Sequence, residues 1–288
     1  MTMNIIDFST MGDMFRELEL NIPFVDFLPF VTSLEVLYRI FSDQISKIRY
    51  YFCYVVSLGT CALIGIIIAP LMLLRPRNLY NCWYSAEILK HVGKVVGMSW
   101  EVRNGHILAE DRGAVICANQ QSIFDIFGMF QLWGLMKKCL PVAKKEMMYQ
   151  FPTMWLAGVL FINRKEPRRA MESIQRASKV IHENQTKLWI FPEGTRNMQG
   201  GKLLPFKSGA FKIAIECQAP IIPVVYSPYY FINGSKKFFR KGKVIITVLD
   251  PIPTKGLSMD DLDSLMKRCY ESMSSTYAAL CQEVQSFK

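Results

Sequence analysis

Residues 113–135 read GAVICANQQSIFDIFGMFQLWGL, and this stretch decides the fold. Ala114 to Ala118 form an apolar run of the length of a buried strand. A polar segment follows it, and apolar residues then recur at helical spacing from Ser122 to Leu135. The pattern predicts a strand, a polar loop at its carboxyl end and a helix, which together form the building unit of an α/β fold.

The sequence beyond Asn78 continues with short β-rich runs separated by amphipathic stretches. The further predicted strands are Leu140 to Ala143, Val159 to Ile162, Leu188 to Phe191, Ile221 to Tyr226 and Val244 to Leu249. The further predicted helices are Tyr80 to Val96, Arg168 to His182, Lys207 to Cys217 and Ser258 to Val284. This alternation predicts an α/β domain over residues 78–288.

Residues 1–77 have a different character. The chain carries no charge from Tyr50 to Leu74, and this uncharged run is long enough for a helix to cross the hydrocarbon core of a bilayer. The basic residues beside this run are Lys47, Arg49, Arg75 and Arg77. Because they flank both ends, the positive-inside rule leaves the orientation open. The earlier stretch Ile22 to Ile40 contains three charged residues, so we expect a helix that lies in or dips into one leaflet.

Composition limits the kind of partner. The chain has 288 residues, 51% of them hydrophobic, and a net charge of +10, which favours an anionic partner. Lipid headgroups, coenzyme phosphates and nucleic acid all satisfy that charge. No nucleic-acid-binding motif is present, and a spanning helix argues against that class. Eight cysteines without a CxxC pair predict a reduced, cytosol-facing domain, and no cluster at metal-ligand spacing indicates a metal.

Three polar motifs directly follow predicted strands, where α/β folds place ligand-binding groups. They read Asn119-Gln-Gln-Ser-Ile-Phe-Asp125, Phe161-Ile-Asn-Arg164 and Phe191-Pro-Glu-Gly-Thr-Arg196, the last continued by Leu204-Pro-Phe-Lys-Ser-Gly-Ala-Phe211. A fourth, apolar stretch, Ala219 to Val225, is structural. In this order, behind an apolar N-terminal segment, the motifs resemble the 1-acylglycerol-3-phosphate (lysophosphatidic acid) acyltransferases, from about Tyr50 to near the C-terminus.

The resemblance implies a fold and an activity. The fold would be the glycerolipid-acyltransferase type, a mixed sheet flanked by helices behind an N-terminal membrane helical element. The activity would be transfer of a fatty acyl group to the sn-2 hydroxyl of lysophosphatidic acid, giving phosphatidic acid. Acyl-CoA would be a co-substrate, no cofactor would be needed, and membrane lipids would surround the protein, in the endoplasmic reticulum membrane.

The first motif departs from the family pattern. The resemblance implies N-H-x-x-x-x-D, in which histidine is the general base and aspartate orients it, but the histidine position holds Gln120. An amide cannot take a proton at neutral pH, so we expect Asp125 to lack its partner and the rate to fall by roughly 10²- to 10⁴-fold. A recruited His106, or Asp125 itself as a weak base, are the alternatives. Ser122-x-x-Asp125 also fits a helix-capping pattern.

The other motif residues fit phosphate binding, since guanidinium groups and glycine turns both bind phosphate. The residues in question are Arg164, Gly194, Thr195, Arg196 and Lys207, with Lys144 and Lys145 as steering charges. Asn163 before Arg164 agrees with the family pattern. Glu193 would orient Arg196, meet a glycerol hydroxyl, or form a salt bridge that stabilises the turn.

Three interpretations of Gln120 stay open at this point. The chain is an acyltransferase with lowered or no turnover, or a non-catalytic lipid-phosphate or acyl-CoA binding paralogue with a regulatory role. In the third interpretation, Gln120 is a substitution of an original histidine, since one nucleotide change converts a histidine codon into a glutamine codon. Separately, residues 235–243 mix cations with two phenylalanines, which predicts either contact with an anionic membrane surface or a solvated hairpin.

Overall fold

The computed structural model describes residues 24–136, 138–144, 152–162, 167–198 and 200–287. Residues from Arg49 onward form one compact unit, and the helical residues up to Ile48 belong to another. In the unit that ends at Ile48, Lys47 forms an ion pair with Asp43, one helical turn earlier, at 2.7 Å. The compact unit holds the sheet and every motif whose placement is described. The proposed division of the chain at residue 77 stays a prediction.

A seven-stranded mixed sheet organises the compact unit. Its strands are β1 (Met98–Arg103), β2 (Ala114–Ala118), β3 (Cys139–Lys144), β4 (Leu160–Ile162), β5 (Lys187–Ile190), β6 (Ile221–Tyr226) and β9 (Gly242–Val248), in the order β1-β9-β6-β2-β5-β3-β4. All neighbours are parallel except β6 and β9. A separate small hairpin pairs β7 (Ile232–Asn233) with β8 (Phe238–Phe239). The mixed α/β sheet that the resemblance implied is confirmed.

Eight helices accompany these strands in the described part of the chain. They are α1 (Phe24–Leu74), α2 (Leu79–Leu89), α3 (Val92–Val95), α4 (Asp125–Met136), α5 (Pro152–Leu156), α6 (Pro167–Asn184), α7 (Gly209–Glu216) and α8 (Leu262–Gln285). Short 3₁₀ turns occupy Gly105–Ala109 and Met259–Asp261. The second turn leads into α8 through a capping box formed by Ser258 and Asp261.

The predicted elements agree with these bounds where the apolar pattern is continuous. Two strands, β2 and β6, match the prediction at both ends, and each is buried along its whole length. The helix predicted from Tyr80 to Val96 is instead two helices, α2 and α3, because the chain turns at Lys90 and His91. Strand β1 was not predicted, since MSWEVR carries two charged residues and lies at the sheet edge.

The burial of β2 on both faces requires helices on both sides of the sheet. One group is formed by α2 and α4, which pack against each other, and a second by α6, α7 and α8. At Gly128 of α4 the helix comes very close to the sheet. A Cβ there would overlap the ring of Tyr226 and come within 2.8 Å of the Trp100 indole. This close approach seats the amino end of α4 over the carboxyl ends of the strands.

Helix α1 has two unlike faces within the compact unit. A buried stripe, made of Tyr50, Cys53, Ser57, Ile68 and Met72, packs on the α/β domain. The opposite face exposes large apolar side chains such as Phe52, Val55 and Ile66. The part from Phe41 to Leu74 is long and apolar enough to cross a membrane, with a mean hydropathy of 2.3. The predicted apolar helix from Tyr50 to Leu74 is therefore confirmed as a helix.

The earlier stretch, Ile22 to Ile40, is helical from Phe24 onward as the first part of α1. Its side chains and residue 22 lie outside what the structure describes. Its disposition in a leaflet stays a prediction.

Replacing Gly128 with alanine should lower the free energy of unfolding by about 1–3 kcal/mol, because the added methyl group has no room beside Tyr226. The matched control is Gly134→Ala in the same helix, where the nearest atom, a Glu87 oxygen, would be 3.5 Å away. That change should stabilise the chain by about 0.4–1 kcal/mol. Urea unfolding in detergent measures both, and equal effects would contradict the packing described.

Candidate active site

The site is built where three parallel strands end side by side. β6, β2 and β5 are neighbours in the sheet and run in the same direction, so the segments that follow them meet at one edge. These segments are 119–125 after β2, 191–197 after β5 and 227–229 after β6. Two of the three sequence motifs are thereby brought together.

Asn119 joins the loop after β2 to the end of β6. Its side-chain nitrogen donates to the Tyr226 carbonyl at 3.1 Å, and its side-chain oxygen accepts from the Tyr226 amide at 2.7 Å. Gln121 adds a bond from its amide nitrogen to the Ser227 carbonyl at 3.0 Å. Both side chains are buried, so these bonds satisfy polar groups that would otherwise be costly. Neither residue was assigned a role from the sequence.

Asp125 is buried at the start of α4 and accepts hydrogen bonds from three donors. Its Oδ2 accepts from the backbone amides of Gln121, at 2.6 Å, and Ser122, at 2.8 Å. Its Oδ1 accepts from the Tyr229 hydroxyl at 2.6 Å. The Ser122 bond is the carboxylate half of the predicted capping pattern. The imidazole partner of the family pattern is absent, and the Tyr229 hydroxyl, from the segment that follows β6, contacts the carboxylate instead.

The surroundings of Asp125 change its acidity. Burial raises the pKa of this carboxyl group to about 7; the Tyr229 hydroxyl and the two backbone amides act to lower it, and the nearby Glu193 charge raises it further. Burial likewise raises the pKa of Tyr229 well above its ordinary value, so the phenol stays protonated and remains a donor. Asp125 and Tyr229 therefore form a buried hydrogen-bonded pair in which Asp125 is the group that loses its proton as pH rises.

Glu193 fixes the two motif loops against each other. Its Oε1 accepts from the Gln120 amide at 2.8 Å, and its Oε2 accepts from the Leu204 amide at 2.9 Å. Only 2% of the residue is exposed, and burial raises the pKa of its carboxyl group. In the described part of the chain it forms no ion pair with Arg196. Both oxygens accept from backbone amides, and the predicted orientation of Arg196 by Glu193 stays a prediction.

Gln120 is held by its backbone, not by its side chain. Its amide donates to Glu193, and its carbonyl accepts from the Asn197 amide at 2.8 Å. The side chain is half-buried, and among the described residues its amide makes no hydrogen bond. The side chain at the family's base position is therefore available to a ligand.

His106 lies too far away to replace the missing base. It belongs to the turn Gly105–Ala109, and a Cβ on Gly105 would meet Leu135 at the carboxyl end of α4. Asp125 begins that helix, ten residues earlier, which corresponds to about 15 Å along the axis. The alternative of a recruited His106 is wrong for this arrangement.

The predicted phosphate-binding residues form an exposed rim on the loop after β5. Gly194 adopts a positive φ of 66°, which lets the turn leave Thr195 and Arg196 exposed. The Lys207 amide donates to the Pro192 carbonyl at 2.8 Å, so this lysine borders the same loop with its side chain exposed. Within the described residues, neither Arg196 nor Lys207 forms an ion pair.

Tyr54 of α1 lies near both the Ser122 hydroxyl and the Arg196 charge. The cationic rim therefore adjoins the loop that carries Asp125. Asn163, Arg164 and Lys145 lie outside the described residues, as does the side chain of Lys144. Binding roles for the rim and for Arg164 stay predictions.

A model of the Acyltransferase family matches residues 99–227, from β1 to just past β6. Human 1-acyl-sn-glycerol-3-phosphate acyltransferase beta is 42% identical over 194 residues, covering 66% of this chain and 68% of that protein. The human alpha protein is 34% identical over 233 residues, covering 80% and 81%.

Among solved structures, the 1-acyl-sn-glycerophosphate (LPA) acyltransferase PlsC from Thermotoga maritima superimposes with a TM-score of 0.59. The match covers 84% of this chain and 97% of that one, at 23% identity, and it concerns the fold.

Tyr229→Phe should raise the Asp125 pKa above about 7, because it removes a hydrogen bond that favours the ionised form. An acid whose pKa is raised on folding contributes stability that is complete below the unfolded value, about 4, and is lost as pH rises through the folded value. The loss should end near pH 7 in the unmodified chain and continue to higher pH in the variant.

The pH dependence of the free energy of unfolding measures this shift. Tyr230→Phe is the control, since the Tyr230 oxygen accepts from the Lys243 amide and does not contact Asp125. Asp125→Asn should remove the part of the dependence that comes from Asp125 and leave the part that comes from other carboxyl groups, such as the buried Glu193. Identical profiles for the unmodified and Tyr229→Phe chains would rule out the assigned interaction.

Proposed function

The chain belongs to the 1-acyl-sn-glycerol-3-phosphate acyltransferase family, and from that premise we propose that it retains a lysophosphatidate-binding site whose acyl-transfer activity is impaired by Gln120. The observation that carries the proposal is the pairing of a buried, oriented Asp125 with a free amide at position 120. The frame for an imidazole base is present, and the imidazole is not. The donor in this proposal is acyl-CoA, used as a co-substrate.

The proposed reaction is attack of the acceptor hydroxyl on the thioester carbonyl. The new C–O bond forms, the C–S bond breaks, and the hydroxyl proton must pass to the departing thiolate. A base at position 120 would take that proton from the hydroxyl and then donate it to the thiolate. The Gln120 amide can hold the hydroxyl by hydrogen bonding but cannot accept its proton at neutral pH. We therefore expect residual turnover, lower by roughly 10²- to 10⁴-fold than with histidine.

Asp125 does not compensate in this proposal. Its two oxygens already accept three hydrogen bonds, and the residue is only 1% exposed. A substrate hydroxyl would have to displace Tyr229 or a backbone amide to reach it. Asp125 is therefore a positioning residue for whatever stands at position 120.

Phosphate recognition falls to the exposed rim in this proposal. Arg196, Thr195 and Lys207 would bind the acceptor phosphate or a coenzyme phosphate, with Arg164 as a further candidate. Within the described residues Arg196 and Lys207 form no ion pair, which supports this role, since a bound anion would supply the opposite charge.

Binding without turnover is the second candidate function. Phosphate-binding residues beside a site that lacks its base are the pattern expected for a regulatory protein that binds a lipid phosphate or acyl-CoA without turnover. The exposed apolar face of α1 supports a membrane location, and we propose the endoplasmic reticulum, where the acceptor lipid could enter sideways from the bilayer.

Gln120→His should raise acyl transfer from oleoyl-CoA to lysophosphatidic acid by roughly 10²- to 10⁴-fold in purified, detergent-solubilised protein. Gln120→His with Asp125→Asn should lose most of that gain, because the imidazole is no longer oriented. Gln120→Asn controls for a change of side chain without a base. If the unmodified chain already equals Gln120→His, the base is another residue and the proposal of impaired activity fails.

Arg196→Gln should weaken binding of lysophosphatidic acid by about 10- to 100-fold, since a charge-assisted hydrogen bond contributes about 1.5–3 kcal/mol. Isothermal titration measures binding without requiring turnover. Binding of a monoacylglycerol, which lacks the phosphate, should not change. Lys212→Gln on the exposed face of α7 is the control for lost charge. Equal losses for both lipids would show that Arg196 does not read the phosphate.

A further inference from the structure

The hairpin formed by β7 and β8 is a concentrated and unneutralised patch of positive charge. Residues 232–241 contain four cations and no carboxylate. The cations are Lys236, Lys237, Arg240 and Lys241. None of them forms an ion pair within the part of the chain that the structure describes. Lys236, Arg240 and Lys241 are exposed, and Lys237 is half-exposed.

The elements packed around the hairpin add charge of the same sign. A Cβ on Gly97 would lie 2.9 Å from Cγ of Lys241 and 3.4 Å from the Arg49 guanidinium, so the stem of Lys241 and the Arg49 charge both border Gly97. The nearby carboxylate of Glu101 is already committed to Arg103 and Lys243, at 2.6 and 2.8 Å. Among the described residues no carboxylate neutralises this patch, and an anionic partner would.

The hairpin is fixed in place by its base. Phe239 is buried and contacts Phe124 edge-on, with ring centroids 5.2 Å apart. Arg49 Nε donates to the Phe239 carbonyl at 2.8 Å, and the Arg240 amide donates to the Phe231 carbonyl at 2.8 Å. At the tip, the Asn233 side chain accepts from the Lys236 amide at 2.7 Å. The charges are thus presented by a held turn, where little conformational entropy remains to be lost on binding.

The same turn adjoins the exposed apolar face of α1. Lys237 Nζ lies 5.3 Å from the centre of the Tyr50 ring, at the first residue of the uncharged run. Next along the helix, Tyr51 and Phe52 expose more than half of their surface. Cations at the end of an exposed apolar helix face are the arrangement that a bilayer interface accommodates, with acyl chains against one part and headgroups against the other.

We propose that the hairpin 232–241 is a docking surface for the anionic headgroups of a bilayer. The occupant follows from charge complementarity and from continuity with the apolar face of α1. This surface goes beyond the proposed acyl transfer and does not require turnover. Phe239 of the hairpin contacts Phe124 in the loop that carries Asp125, so anionic lipid would gather beside the candidate site.

The test is amide hydrogen exchange of the full chain in lipid nanodiscs, read in peptides covering residues 233–241. One set of discs contains only phosphatidylcholine, and the other contains 30% phosphatidylserine. The hairpin variant carries Lys236→Gln, Arg240→Gln and Lys241→Gln. Its control carries Lys212→Gln, Lys255→Gln and Lys267→Gln, which remove the same charge from exposed positions elsewhere on the domain. Lys237 is left unchanged because it contacts Tyr50.

Exchange in this hairpin should slow in the anionic discs alone, and raised salt should reverse the slowing. Loss of three cations weakens adsorption of a basic segment on the order of a hundred-fold, so the hairpin variant should show no slowing. The control variant should behave as the unmodified chain does. Equal exchange in both kinds of disc, or equal behaviour of the two variants, overturns the proposal. Neither outcome bears on acyl transfer, because the readout is independent of activity.

Discussion

The carboxyl edge of the sheet depends on satisfying the hydrogen bonds of polar side chains that the chain buries there. Asn119, Asp125 and Glu193 are almost fully enclosed, and each would cost free energy without partners. Their partners are backbone groups of neighbouring segments and one phenol. Asn119 and Asp125 join the loop after β2 to the end of β6, and Glu193 joins the same loop to the one after β5, so the three loops are held as one frame.

The sequence was sufficient for the parts of the fold that depend on local pattern. β2 and β6 are continuous apolar runs, and their bounds were predicted because burial on both faces leaves no polar position to confuse the pattern. β1 was missed because an edge strand tolerates Glu101 and Arg103, so MSWEVR carries no clear apolar period. The division between α2 and α3 was missed because apolar residues resume at helical spacing directly after Lys90 and His91, where the chain turns.

The sequence was insufficient for contacts that depend on strand order. Tyr229 is 104 residues from Asp125, and only the adjacency of β6 to β2 brings the phenol to the carboxylate. The available signal was the presence of polar side chains just after a predicted strand. Tyr229 lies three residues after β6, and this signal was not applied to it. From the motif, Glu193 was expected to orient Arg196, to meet a glycerol hydroxyl or to form a salt bridge that stabilises the turn. Its true partners, the amides of Gln120 and Leu204, are backbone groups that no motif displays.

The way Gln120 is held separates the stability of this site from its chemistry. The main chain of residue 120 fastens two loops, while its side chain fastens nothing in the described part of the structure. Exchange of that side chain therefore leaves the frame intact, and natural selection for folding would pass over it. Catalysis at such a position can disappear and return across generations by single codon changes. A lineage could thus keep the folded domain long after it had lost the catalytic side chain.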